Sequence, residues 1–122
     1  MSQAVVLVVE DNSLTRKMFR LALEAEGYTV LDAADGSAAI QLTQRRQPGL
    51  IVQDLMLPDM DGVELGRQLR LLSSAPIIAM SGLLSRLDEA RLSTIGFVDF
   101  LVKPVPLPLL RERVRAHVPL PA

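Results

Sequence analysis

Five polar side chains stand where apolar runs end, and their types set the chemistry to look for. Glu10 and Asp11 follow Val5–Val9, Asp54 comes just after Leu50-Ile51-Val52, Ser81 follows Pro76–Met80, and Lys103 follows Val98–Val102. Taken singly, each has an ordinary explanation, since an acid after a strand commonly caps a helix and a lone lysine is a solvated surface charge. The set is harder to explain that way: three carboxylates, a hydroxyl and an ammonium. Three carboxylates brought to one place repel one another unless a cation lies among them. Oxygen donors without histidine or cysteine select Mg2+ or a similar hard divalent ion, which keeps several waters and commonly couples to phosphate.

Such a site exists only if the chain brings these residues to one edge, and its patterning does so. Val5–Val9 is a β-branched run of the kind buried on both faces of a parallel sheet. Ser13–Glu26 has helical spacing, with Asn12 or Ser13 as cap and Gly27 as terminator. Tyr28–Ala33 predicts a second strand. A helix capped by Asp35 then runs to Gln47, broken by Pro48-Gly49. Leu50–Val52 predicts a third strand, Leu57–Gly62 a loop, and Val63–Leu72 a third helix. Pro76–Met80 and Leu84–Thr94 predict the fourth strand and helix, Val98–Val102 the fifth strand. A last helix enters through Pro104, Pro106 and Pro108 and runs to about Val118, with Pro119 and Pro121 fraying its end. Strands alternating with helices imply βαβ units, a parallel sheet, and a site beyond the carboxyl ends of its strands. The five polar residues lie at those ends.

Composition narrows the partners. The 122 residues suit one domain over 1–122, with an ordered core over about 4–118. Thirteen basic against 14 acidic residues leave a net charge of −1, so no overall field favours nucleic acid or a membrane surface. With three phenylalanines and one tyrosine there is no base-stacking platform, and with no cysteine there is no disulfide or thiolate site. Ala4–Val9 is too short to span a bilayer and lacks the flanks of a signal peptide, which makes a cytoplasmic location the default expectation.

Glu10-Asp11-Asn12, Asp54-Leu55-Met56-Leu57-Pro58-Asp59-Met60-Asp61-Gly62, Ser81-Gly82 and Asp99-Phe100-Leu101-Val102-Lys103-Pro104, in this order, resemble the receiver domain of two-component response regulators, chemotaxis regulators included. The resemblance covers about Val5 to Val118. It implies a doubly wound, flavodoxin-like (βα)5 fold with a five-stranded parallel sheet of order 2-1-3-4-5. It further implies that Asp54 accepts a phosphoryl group, and that Asp11, Asp54 and the backbone carbonyl of Met56 bind Mg2+, with Glu10 acting on the metal through water. Ser81 and Lys103 would hold phosphoryl oxygens, and Phe100 would rearrange with Ser81. The Lys103–Pro104 bond is expected to be cis. The implied partner is a histidine kinase or histidine phosphotransfer protein, and the surface made by helix 4, strand 5 and helix 5 would meet an output domain or a second copy. No direct contact with nucleic acid or membrane is expected.

Several positions depart from the commonest pattern of that family. Glu10 stands for a second Asp, Ser81 for Thr, and Phe100 for Tyr, so the ring has no hydroxyl to anchor a rotated state. The family orients its hydrolytic water with the side chains two past the acceptor and two past the hydroxyl residue. Here these are Met56 and Leu83, which cannot hydrogen-bond water in that way, so slow self-dephosphorylation is expected, while Gly82 leaves access open to a donor. Gln53 occupies a position where an aliphatic residue is usual.

Other readings fit less well. A dehalogenase-type phosphotransferase would resemble Asp-x-Asp after the first strand, whereas Asp54 has Met56 at plus two. A nucleotide-binding flavodoxin-like domain would need a Gly-rich loop after Val9, where Glu10-Asp11 stands instead. The alternative of a degenerate receiver, acting as a phosphorylation-independent interaction module, is opposed by the presence of Asp11, Asp54, Ser81 and Lys103. His117 near the end of the last helix suits a surface or helix-terminus role, so the phosphodonor histidine must come from a partner. Arg111, Arg113 and Arg115 suggest the solvated face of the last helix. The chain is a stand-alone receiver or one cut from a larger regulator or hybrid kinase.

Overall fold

The structure, a computed structural model, describes residues 4–120. Five strands alternate with five helices: β1 (Val5–Val9), α1 (Ser13–Glu26), β2 (Thr29–Ala33), α2 (Gly36–Arg46), β3 (Leu50–Asp54), α3 (Gly62–Leu72), β4 (Ile77–Ser81), α4 (Arg86–Ile95), β5 (Phe97–Val102) and α5 (Leu107–His117). All strand pairs are parallel, and the sheet order is β2-β1-β3-β4-β5. This is the doubly wound architecture that the sequence implied.

The apolar runs explain the layering. Side chains alternate across a strand, and here both faces are covered. On one face Val6, Val8, Leu50, Val52, Ile78, Met80 and Leu101 pack against Phe19 and Leu23 of α1 and Leu110 and Val114 of α5. On the other, Leu7, Val9, Ile51, Ile77 and Ala79 meet Ala39 of α2, Leu65 and Leu69 of α3 and Leu92 of α4. Burying one such leucine side chain stabilises by about 2 kcal/mol, so these contacts dominate the fold. Capping sets the helix ends. Asn12, Asp35 and Asp61 accept backbone N–H bonds at the starts of α1, α2 and α3, and Gly27 closes α1 with φ of 109°, a conformation costly for other residues.

Differences from the sequence expectation are confined to element ends. The ladder of β3 continues through Gln53 and Asp54, which pair with Ala79 and Met80, and β4 continues through Ser81, opposite Val102. Pairing is a property of the backbone, so a strand outlasts its apolar run. α4 begins at Arg86 rather than Leu84, because Ser85 and Asp88 form a reciprocal capping box. Residues 1–3 and Pro121 lie outside the described residues.

Candidate functional site

The parity of the strands sorts the candidate residues. Glu10, Asp54 and Lys103 continue the positions that face α1 and α5, whereas Gln53, Ser81 and Phe100 lie toward α3 and α4. The first group closes into a charged cluster. Lys103 Nζ donates to Asp54 Oδ2 at 2.6 Å and to Glu10 Oε1 at 2.7 Å. Both carboxylates are buried, and the ammonium is partly buried. The second Glu10 oxygen accepts the Asn12 N–H at 3.0 Å, and the second Asp54 oxygen accepts the Met56 N–H at 2.9 Å. Asp11 is exposed beside them, and one carboxylate oxygen from each of Glu10, Asp11 and Asp54 lies within 4.8 Å of the others. The Lys103–Pro104 bond is cis, as expected.

The electrostatics follow from burial opposed by pairing. Burial pushes the Glu10 carboxyl above its usual range, against the bonds from Lys103 and Asn12. Burial alone would pull the Lys103 ammonium down, but its hydrogen bonds to Asp54 and Glu10 outweigh this and hold it above its usual value. Lys103 therefore stays charged throughout the neutral range. Three hard oxygen donors, with no imidazole or thiolate among them, fit Mg2+. The cluster has the acidic character that the resemblance to receiver domains implies for an ion site.

The loop from Leu55 to Asp61 is fastened at several points. Met56 and Asp61 form an antiparallel bridge, and Gly62 N–H donates to the Leu55 carbonyl at 3.1 Å. A side chain at Gly62 would collide with the Leu55 backbone, so only glycine allows this approach. Asp59 reaches across to α2, accepting the Gly36 and Ser37 N–H groups at 2.9 and 3.0 Å. Those two bonds hold the Asp59 carboxyl below the usual carboxylate range. Nothing in the local pattern distinguished this contact, which joins residues 22 and 23 positions apart.

The other side is held less firmly. The Ser81 hydroxyl accepts the Leu83 N–H and donates to the Leu83 carbonyl, both at 3.3 Å. Phe100 is partly buried against the α3–α4 core. Met56 and Leu83, 73% and 86% exposed, line with Ser81, Leu55 and Leu84 the same cavity of about 250 Å³. A methyl group at Gly82 would meet no atom within 4 Å, so the approach there is open. On α5, Arg113 and His117 bond Asp99 of β5 at 2.5 and 3.0 Å, and Arg115 pairs with Glu26 of α1. Two of the three arginines thus join elements instead of only facing solvent, and His117 sits at the helix terminus as expected.

Residues 6–115 match the family described as the response regulator receiver domain. The chain is 32% identical to the polar-differentiation response regulator DivK of Brucella anthropi, over 93% of this chain and 94% of that protein. It is 34% identical to a probable transcriptional regulator ycf27 of Porphyridium aerugineum, over 95% of this chain but 48% of that longer protein, so it spans about half that relative's length. Among solved structures, chemotaxis protein CheY4 of Vibrio cholerae superposes with a TM-score of 0.89 at 28% identity, covering 96% of this chain and 100% of that one. Among the described residues, no helix is long and apolar enough to cross a membrane.

Proposed function

The chain belongs to the response regulator receiver domain family, a signalling domain of two-component systems, and from this we propose that Asp54 is its phosphoryl acceptor. The observation that carries the reading is the Lys103 ammonium, 2.6 Å from Asp54 within the trio of Glu10, Asp11 and Asp54. One Asp54 oxygen attacks the phosphorus of a partner's phosphohistidine. The P–N bond breaks, and its electron pair stays on the imidazole, which then takes a proton. Lys103 neutralises charge on the phosphoryl oxygens, and Ser81 bonds another of them after leaving Leu83. Asp11, Asp54 and the Met56 carbonyl would hold Mg2+, with Glu10 acting through water. When bound, the ion neutralises charge between the acceptor and the phosphoryl oxygens. Positioning and charge neutralisation are most of what phosphoryl transfer requires.

Receiver domains in general exchange phosphoryl groups with histidine kinases or phosphotransfer proteins, and such a protein is the proposed donor. Ser81 and Phe100 pass the change to the α4–β5–α5 surface, where an output domain or a second copy would read it. The domain promotes its own phosphorylation and a slow dephosphorylation. A degenerate interaction module would have no need for Asp11, Asp54, Ser81 and Lys103 together, and all are present. The test is to treat the protein with Mg2+ and acetyl phosphate, measure the phosphoprotein by intact mass, and repeat with Asp54→Asn. The wild type should gain one phosphoryl group and the variant none; equal labelling of both would overturn the assignment.

A further inference from the structure

Gln53 is fully buried in β3, between Val9 and Ala79 of the neighbouring strands. Its Nε2 donates to the Gly62 carbonyl at 2.5 Å, while its Oε1 is buried without a hydrogen-bond partner among the described residues. An unpaired buried oxygen costs stability, and an aliphatic side chain of similar volume would fill the same space without it. The Gly62 carbonyl, moreover, already belongs to the first turn of α3, so it does not need Gln53 to be satisfied. The amide is therefore poorly explained as packing. What it does is tie the end of the acceptor loop to the strand that bears the acceptor.

The bonds around that tie run directly to Asp54. Gly62 N–H holds the Leu55 carbonyl, Asp61 bridges Met56, and Met56 N–H rests on Asp54 Oδ1. We propose that Gln53 is a positioning residue for the phosphoryl site: by anchoring Gly62 it fixes the Leu55–Met56 backbone, and so the Met56 N–H and carbonyl, against Asp54. This rests on the functional reading above, in which the Met56 carbonyl is a metal ligand. Residues one step behind a ligand commonly change metal affinity by about tenfold or more when altered.

The experiment compares wild type with Gln53→Met, which keeps the volume and loses the donor. Mg2+ affinity is read by NMR titration and by calorimetry, and labelling by acetyl phosphate is followed at saturating Mg2+, all well below the variant's unfolding temperature. We expect Mg2+ binding about tenfold weaker, with the backbone amide signals of Met56 and Gly62 displaced, whether the melting temperature falls or rises. Unchanged Mg2+ affinity with only a shifted melting temperature would overturn the proposal. Should the variant not fold, the wild type decides. The Gln53 side-chain amide protons should exchange slowly and shift when Mg2+ binds; solvent-like exchange, or no shift, would overturn it. A wild type that neither binds Mg2+ nor labels at Asp54 would instead defeat the functional reading, a result distinct from loss of the Gln53 role alone.

Discussion

On the α1–α5 side of the sheet, Lys103 holds Asp54 and Glu10 at 2.6 and 2.7 Å. On the α3–α4 side, the Ser81 hydroxyl bonds, among the described residues, only the Leu83 backbone, at 3.3 Å, and Leu83 stands 86% exposed. The same strand ends thus carry a tightly bonded half and a loosely bonded one. Phosphoryl transfer depends on preorganised charge, which the first half supplies. A switch depends on an element with two arrangements of similar free energy, which weak local bonds permit. The contrast teaches that the proposed acceptor and the proposed reporter can share an edge while differing in how firmly they are bonded, because alternate residues of a strand face different layers.

The largest effect should come from breaking the tight half. Lys103→Met leaves two buried carboxylates without their shared cation. Because the ammonium is partly exposed, the loss is set below that of a fully buried pair, at about 2–3 kcal/mol. Urea unfolding followed by circular dichroism measures it. Mg2+ at ten times its dissociation constant should return about 1.4 kcal/mol by mass action. A variant as stable as wild type in EDTA would show that the cluster is solvated and the tightness illusory.

The next effect concerns what stands over the acceptor. Met56 and Leu83 offer no group to orient a hydrolytic water. Replacing them together, Met56→Asn with Leu83→Glu, should shorten the lifetime of phospho-Asp54 by about tenfold, or roughly 1.4 kcal/mol in barrier. Phosphate release after removal of the donor measures it. An unchanged lifetime would mean that water entry is controlled elsewhere.

The elements of the fold, and the identity of the charged trio, were legible in local signals of the sequence, namely apolar runs, caps and polar residues at strand ends, whereas the strand order was implied by the resemblance to receiver domains. Ser85 and Asp88 carried a legible capping box as well, and it places the start of α4 better than the apolar spacing does. Other features were not legible. Asp59 looked like any turn residue until the fold placed α2 beside it. Gln53 stood out as a polar residue in an apolar run, but its partner, Gly62, depends on the path of the loop. Asp99, Arg113 and His117 meet only because β5 and α5 pack together. Contacts made across the fold have no periodicity to betray them.

A smaller effect tests the α2 clasp through pH. Two N–H bonds lower the Asp59 carboxyl in the folded state, so its contribution is fully present above the usual carboxylate range. It fades as pH falls below about 4, through the lowered value. Wild type should therefore melt above Asp59→Asn by a constant margin from pH 7 to about pH 5, and the margin should close on further acidification. A margin that widens toward acid would reverse the sign and exclude the clasp as its source.

The smallest effect is expected from the loose half, and its smallness is what matters. Ser81 makes two long bonds to one neighbouring residue, so Ser81→Ala should change unfolding free energy by no more than about 0.5 kcal/mol. Labelling at Asp54 should continue, because Lys103 and the carboxylates are untouched. What should be lost is the response of Phe100, which has no hydroxyl of its own and is held by packing against the α3–α4 core. In wild type, beryllofluoride with Mg2+ should shift the Phe100 ring signals as Ser81 turns to the bound group and vacates its place. In Ser81→Ala that shift should shrink while the signals of Asp54 and Met56 still move. A ring that moves fully in the variant would show that Phe100 is coupled to the acceptor through the tight half, and the division between the halves would fail.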